Sequence, residues 1–283
     1  MRLPLVCREP TGPPMPTLQT IKIDKRGEVD WLTLNRPDRL NTITGTMVEE
    51  LCSYFDALKN DYSTRIVALR GAGRAFCAGL DIKAHLGGDR VPEGAGRTRP
   101  GHHLFDIVRL MRACPQPIVA LVHGPACGGG FAMVLAADIR IAGHTARMND
   151  AFVALGRSGC ELGLSYFLPR IVGLGVATEL MYTGSFIDAE RALRVGLVSR
   201  VVPDDRLDAA AAEFVDPMLL TAPLGLRMTK ATLNSVLNVN DLNAVIDLEE
   251  RAQSICGRGP DFEEAMKAFL EKRRPVYGPA QAP

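Results

Sequence analysis

The sequence lacks a pronounced charge of either sign, because 33 lysines and arginines stand against 32 aspartates and glutamates in 283 residues. No overall electrostatic field therefore attracts the chain to nucleic acid or to an anionic membrane surface, and any bound anion must be held locally. The sequence also lacks an apolar stretch long enough to cross a bilayer. It predicts neither a nucleic-acid partner nor a membrane span.

Paired cysteines are lacking as well. The seven cysteines are odd in number and scattered without a C-x-x-C pair, which argues against a disulfide framework or a structural zinc site. This usage is typical of a reducing compartment and predicts a cytoplasmic protein. Residues 1–20 carry several prolines and no apolar signal-peptide core, so we expect them to form a flexible N-terminal extension.

Strand and helix patterns alternate along most of the chain, which is typical of an α/β protein. Strands are predicted over residues 29–34, 65–71, 118–121 and 138–141, and the first helix is predicted over residues 44–60. Beyond about residue 202 the strand signals give way to helical ones. We therefore expect a core over residues 21–202 and a C-terminal helical region over residues 203–283. The last helix is predicted to begin at Asp261, because Glu264 completes a capping-box spacing.

Two glycine-rich passages follow strands of similar sequence. One strand leads into Gly79-Leu80-Asp81, and the strand Ile118-Val119-Ala120-Leu121 leads into Gly128-Gly129-Gly130. Two like units packed side by side bring their exits to the same edge of a sheet. Two backbone N–H groups could then converge on one oxygen and stabilise a thioester enolate. Alternatively, the glycines only permit tight turns between strand and helix.

Other motifs fit the sequence less well. A dinucleotide fingerprint fails because Phe76 occupies its third glycine position, and neither passage ends in the Gly-Lys-Ser/Thr of a P-loop. A serine-nucleophile elbow fails at Cys160. Cys127 is a small buried cysteine or an activated thiolate, and the first is favoured because no motif places a base beside it. His102-His103 lacks metal-ligand spacing, so no metal site is predicted.

The chain resembles the enoyl-CoA hydratase/isomerase (crotonase) superfamily from about Ile21 to its C-terminal tail. The matching segments are Leu34-Asn35-Arg36-Pro37, residues 74–83, His123-Gly124 with Gly128-Gly129-Gly130, and residues 136–142. The resemblance implies a crotonase-like spiral of ββα units whose C-terminal helices make trimer contacts, in a homotrimer or a dimer of trimers. It also implies an acyl-CoA thioester as substrate. No separate cofactor is implied, because coenzyme A is part of that substrate.

The same resemblance implies roles for individual residues. The two N–H groups of the family's oxyanion hole correspond to Leu80 and Gly129. The residues that correspond to the coenzyme A site are Ala78, Asp81, Ile82, Lys83 and, near the nucleotide end, Lys272.

The sequence departs from the family where its hydratases carry two glutamates that position and deprotonate water. Those two positions are Ala132 and Phe152 here. Neither side chain can hold water or move a proton. Hydration by the two-glutamate route is therefore not expected.

Glu161 is the remaining candidate acid. It lies where the family's dienoyl-CoA isomerases carry a catalytic aspartate, apart from a one-residue difference in length after Gly156. A lone carboxyl group in an apolar pocket is suited to shuttle a proton at neutral pH. Alternatively, Glu161 caps a helix or pairs with Arg157 or Arg170. Asp150 is the weaker candidate, and we expect it in a surface turn.

The sequence thus favours double-bond isomerisation of an unsaturated acyl-CoA over hydration. Two alternatives stay open. One is a hydratase that uses non-standard acids, and the other is an acyl-CoA binding protein that has lost catalysis.

Overall fold

The computed structural model describes residues 18–88 and 102–278. Most of the predicted N-terminal extension, residues 1–17, lies outside them. The described strands are β1 (Ile21–Arg26), β2 (Val29–Leu34), β3 (Ile66–Gly71), β4 (Ile118–Val122), β5 (Pro125–Cys127), β6 (Ile139–Gly143), β7 (Arg147–Asn149), β8 (Ile187–Asp188) and β9 (Arg200–Val202).

The described helices fall into two groups along the chain. Those before β9 are α1 (Gly45–Ala57), α2 (Ile82–Leu86), α3 (Leu104–Ala113), α4 (Gly129–Ala136), α5 (Leu164–Val172), α6 (Leu174–Thr183) and α7 (Ala189–Arg194). Those after it are α8 (Leu207–Leu219), α9 (Pro223–Val236), α10 (Leu242–Cys256) and α11 (Pro260–Leu270). Single 3-10 turns cover Pro37–Arg39, Leu58–Asn60, Val153–Leu155 and Asp204–Arg206.

The main sheet has the strand order β1-β2-β3-β4-β6-β9, and a smaller sheet has the order β5-β7-β8. Only β1 runs antiparallel in the main sheet. The strands that precede the two glycine-rich passages are neighbours, because β3 pairs in parallel with β4 from Val67 opposite Ile118 to Arg70 opposite Leu121. The prediction that both passages leave one sheet side by side is confirmed.

The two faces of the main sheet are buried in separate apolar clusters. Along β3, Val67 and Leu69 pack into the larger cluster while Ile66 and Ala68 pack into the smaller one. This period-two alternation places α1, α3 and α4 on one face and α8 on the other. Coverage of both faces explains why the central parallel strands β3 and β4 consist largely of apolar residues.

Lys230 fastens the C-terminal helices to the core. It lies on α9 with only 4% of its surface exposed, and its Nζ donates to Gln116 O at 2.8 Å and to Met111 O at 3.0 Å. An ion pair with Asp138 Oδ2 at 2.9 Å satisfies its charge. These contacts fix where the C-terminal helical region leaves the core.

Within the described part of the chain, no single helix has the length and apolar character needed to cross a membrane. The segments Asp204–Leu219 and Pro223–Val236 meet that requirement only when taken together, and they are bent by 105° at their junction.

Candidate functional site

The two glycine-rich turns pair with each other at the carboxyl ends of β3 and β4. Cys77 N donates to Pro125 O at 3.1 Å, and Cys127 N donates to Cys77 O at 2.9 Å. The first turn therefore lies beside β5, directly before the glycines that open α4. This pairing brings the two predicted N–H groups into one place.

Leu80 is held so that its N–H points away from the segment that supports it. Ile43 N donates to Gly79 O at 2.7 Å and Asp81 N donates to Ile43 O at 2.9 Å, so the groups on either side of Leu80 face Ile43. In an extended strand the N–H of the intervening residue then faces the other way. A Cβ at Gly79, which has φ +90°, would lie 2.9 Å from Cys127 O and 3.9 Å from Gly129 N. Only glycine permits this close approach.

Gly129 is the first residue of α4, where a helical N–H has no acceptor within the helix. Among the described residues, neither the Leu80 N–H nor the Gly129 N–H donates to a protein acceptor. The N-terminal end of α4 also carries partial positive charge. Two unengaged donors on adjoining turns form a candidate oxyanion hole.

The Asn41 side chain fixes the turn that carries Leu80. It is fully buried, and its Nδ2 donates to Ala72 O and Ala75 O at 2.8 Å each and to Phe76 O at 3.2 Å. Its Oδ1 accepts from Arg36 N at 2.8 Å. One amide thus satisfies four backbone groups that have no partner in a strand or helix. Asn41 was not predicted as a site residue, although it lies four residues after the matched segment Asn35-Arg36-Pro37.

Arg36 anchors the same turn through Asp81, the residue after Leu80. Its Nη1 and Nη2 each lie 3.0 Å from Asp81 Oδ2, and the other carboxylate oxygen caps α2 through Ala84 N at 3.0 Å. Partial burial opposes ionisation of Asp81. The Ala84 N–H, Arg36 and the Thr42 hydroxyl outweigh that effect and lower the pKa of Asp81 below 3.8.

Replacing Arg36 by alanine removes this anchor. We expect Arg36→Ala to lower the free energy of unfolding at pH 7 by about 1 to 2 kcal/mol, because Asp81 loses a charged partner. A depressed pKa stabilises the fold above the unfolded value and loses that contribution as pH falls through the folded value. The deficit of the variant should therefore shrink below about pH 4. Urea unfolding at several pH values measures it, and a pH-independent deficit would contradict this role for the ion pair.

The walls around the two N–H groups are apolar. A Cβ at Gly129 would lie 2.7 Å from Ile43 Cδ1 and 3.5 Å from Leu162 Cδ1, and a Cβ at Gly128 would lie 3.5 Å from the Phe152 ring. Ala132, one turn into α4, is fully buried. Phe152 and Ala132, the two positions at which the sequence lacks an acid, therefore supply only apolar side chains near the start of α4 and inside it.

Glu161 precedes Leu162 and is buried, with its side chain 8% exposed and its Oε1 2.9 Å from Arg157 Nη2. The expected alternative of an ion pair with Arg157 is therefore present. Leu162 adopts φ +48°, which is uncommon for a non-glycine residue. With the backbone in this conformation, the Leu162 side chain lies next to Gly129. Glu161 is thereby one residue from a side chain that contacts the candidate oxyanion hole.

Asp150 is not in a surface turn, and that prediction was wrong. The residue is fully buried, because the turn it initiates is covered by Gly159 and by the end of α6. Burial raises the pKa of Asp150 to about 6, the Phe152 N–H opposes the rise, and the negative charge of Glu161 adds to it. A buried acid with a shifted pKa is a feature of functional sites.

The residues predicted to bind coenzyme A lie in two parts of the structure. Ala78 is half-buried before the Leu80 turn, Ile82 is 44% exposed and Lys83 is exposed, both on α2. Lys272 is exposed just after α11. Asp81 is engaged by Arg36. The described residues include no group of three or more His, Cys, Asp or Glu side chains placed to hold a metal ion.

Comparison with known proteins gives a consistent result. The sequence pattern of the family "Enoyl-CoA hydratase/isomerase" matches residues 24–280. A probable enoyl-CoA hydratase of Mycobacterium tuberculosis is 39% identical over 259 residues, covering 89% of this chain and 90% of that protein. The 1,2-epoxyphenylacetyl-CoA isomerase of Escherichia coli is 33% identical over 246 residues, covering 87% of this chain and 93% of that protein. The crystal structure of an enoyl-CoA hydratase from Bacillus anthracis superposes with a TM-score of 0.83 at 32% identity, covering 92% and 99%.

Proposed function

Because the chain belongs to the enoyl-CoA hydratase/isomerase family, whose members act on acyl-CoA, we propose that it moves a double bond within an unsaturated acyl-CoA. The Leu80 and Gly129 N–H groups hold the thioester oxygen, and Glu161 transfers the proton. The resemblance noted in the sequence and the predicted crotonase-like α/β fold are confirmed.

One observation carries the proposal. The pair of unengaged N–H groups adjoins a segment that contains a buried carboxylate, while both positions of the hydratase acids are apolar. Isomerisation needs a stabilised enolate and one group that moves a proton, whereas hydration also needs water to be held and deprotonated. The residues present supply what isomerisation needs, namely two N–H donors and one carboxyl group, without the second acid of a hydratase.

The steps follow from the charges of these groups. Glu161 is ion-paired with the Arg157 guanidinium, and in the proposed cycle its carboxylate acts first as the base. It removes a proton from the α-carbon of a 3-enoyl thioester, the electron pair moves onto the thioester oxygen, and the two N–H groups stabilise that negative charge. Glu161 then returns the proton to the γ-carbon, which yields the 2-enoyl thioester and regenerates the base. No water is consumed.

Product analysis tests the reaction. Incubation with a 3-enoyl-CoA in D₂O should give the 2-enoyl-CoA, with deuterium at the γ-carbon in the fraction of turnovers that exchange. The matched incubation with the 2-enoyl-CoA should give little 3-hydroxyacyl-CoA. Rapid formation of 3-hydroxyacyl-CoA would contradict isomerisation. Tight binding of all substrates without conversion would instead identify an acyl-CoA binding protein.

Hydration is the second candidate, and the presence of two buried acids, one of which acts electrostatically on the other, favours it. Asp150 and Glu161 are both buried and interact electrostatically. A pair of carboxyl groups could divide the tasks of deprotonating water and protonating the α-carbon. The same product analysis separates this reaction from isomerisation.

We further propose that the C-terminal helices form the contacts of an oligomer. Large apolar side chains are exposed on the C-terminal helices, among them Leu242 at 70%, Phe269 at 82% and Leu270 at 76%. Apolar surface of this extent supports a homotrimer or a dimer of trimers formed through these helices. We propose that Ala78, Lys83 and the neighbouring α2 residues contact coenzyme A and that the enzyme works in the cytoplasm.

A further inference from the structure

The turn that Asp150 forms needs a hydrogen-bond acceptor but does not need a negative charge. Its Oδ1 accepts the Phe152 N–H at 3.1 Å, which forms the turn before the Val153–Leu155 helix. An asparagine would serve that turn equally well. The turn therefore explains one carboxylate oxygen of Asp150 and leaves the other unexplained.

The second oxygen, Oδ2, is buried and has no hydrogen-bond partner among the described residues. Burying an unsatisfied carboxylate oxygen costs free energy. A Cβ at Gly159 would lie only 2.6 Å from Asp150 Oδ2, so this oxygen faces the segment that leads to Glu161. The unpartnered atom is thus directed at the backbone two residues before the candidate acid.

The charge of Glu161 acts on Asp150 as well, since it raises the pKa of that carboxyl group. Arg157, the partner of Glu161, belongs to the same segment. On the other elements packed nearby, Arg147 of β7, Glu179 of α6 and Asp188 of β8 are exposed. Arg147 lies over the Phe186 ring, Glu179 pairs with Arg191, and Asp188 caps α7. Of the charged groups named here, Glu161 is buried and raises the pKa of Asp150, whereas Arg147, Glu179 and Asp188 are exposed.

We propose that Asp150 is a positioning residue for the reaction, whose buried carboxylate lies against the segment that leads to Glu161 and places a second negative charge beside the Glu161–Arg157 pair. This inference rests on the proposed role of Glu161. A group that must both remove and return a proton works best when neither form is strongly favoured. A guanidinium beside a carboxyl group favours its ionised form, and a second carboxylate nearby opposes that effect.

The pH dependence of catalysis tests the inference. Asp150→Asn keeps the turn but removes the charge, so the acidic limb of kcat/KM for a 3-enoyl-CoA should move down by about one pH unit. At pH 8, kcat should fall about threefold with KM unchanged, as expected when a base weakens by that amount. Asp150→Ser, whose hydroxyl can accept the Phe152 N–H, should give the same shift. A merely structural role would leave the pH limb in place.

The coupling should also appear without any activity measurement. In protein labelled with ¹³C at aspartate carboxyls, one signal should titrate near pH 6, disappear in Asp150→Asn, and titrate at lower pH in Glu161→Gln. Asp30→Asn removes another buried aspartate, 5% exposed, and should move neither this signal nor the pH limb.

Failure of the inference about Asp150 and failure of the proposed function give different results. If Glu161→Gln abolishes turnover but Asp150→Asn leaves the pH limb and Glu161→Gln leaves the Asp150 titration unchanged, the inference is overturned and the proposed function stands. If Glu161→Gln turns over like wild type, the proposed function itself is overturned.

Discussion

Glu161→Gln should lower kcat for isomerisation by about 10²- to 10⁴-fold, the usual contribution of a positioned acid or base. The substitution is isosteric and retains a group that can accept from Arg157, so the Kd for acyl-CoA should change little. The loss would then lie in kcat rather than in binding. Steady-state kinetics with a 3-enoyl-CoA, together with calorimetric titration of a saturated acyl-CoA, measures both quantities.

Two variants separate catalysis from the loss of an ion pair. Glu179→Gln breaks the surface pair with Arg191, which has a 2.7 Å contact, and should leave kcat unchanged. Arg157→Gln removes the partner of Glu161 while keeping the carboxyl group, and should retain far more activity than Glu161→Gln. Equal losses in Arg157→Gln and Glu161→Gln would assign Glu161 a structural role only.

Asn41→Ala should reduce the free energy of unfolding by about 3 to 5 kcal/mol. Three backbone carbonyls and the Arg36 N–H lose their partner in the interior. Alanine also tolerates φ +55° less well than asparagine. Because these bonds hold the turn that carries Leu80, the folded fraction should show reduced kcat. Denaturant unfolding and kinetics on the folded variant measure the two effects.

Asn35→Ala is the matched control. Asn35 is exposed, and the hydrogen bond given by the structure, from its backbone N to Thr20 O at 2.7 Å, survives the substitution. Its stability and activity should remain near those of wild type. An Asn41→Ala variant as stable as Asn35→Ala would show that the amide does not support the turn.

Regular elements were predictable because their signals are local. The strand predicted over residues 29–34 has the same bounds as β2, and the strand predicted over 65–71 begins one residue before β3. The apolar pattern of a strand can be recognised within a short run of neighbouring residues. The start of the last helix was less accurate. Pro260 opens α11, and Glu264 binds Arg273 instead of completing a capping box with Asp261.

The supports of the candidate site were not predictable, since they depend on contacts between distant segments. Asn41 reaches carbonyls more than thirty residues away, and Arg36 meets Asp81 across a similar separation. No local spacing encodes such bonds. The burial of Asp150 likewise depends on α6, which follows it in the chain. By contrast, the Glu161–Arg157 pair has a spacing of four residues and was foreseen as an alternative.

A crystal structure of Glu161→Gln with a bound 3-enoyl-CoA tests the proposed mechanism most directly, because the variant should trap the substrate unreacted. We predict the thioester oxygen within about 3.1 Å of both Leu80 N and Gly129 N. The side chain at position 161 should lie within about 3.5 Å of the α-carbon, or one water away from it. A thioester oxygen that contacts neither N–H, or a residue 161 beyond the reach of one bridging water, would contradict the mechanism.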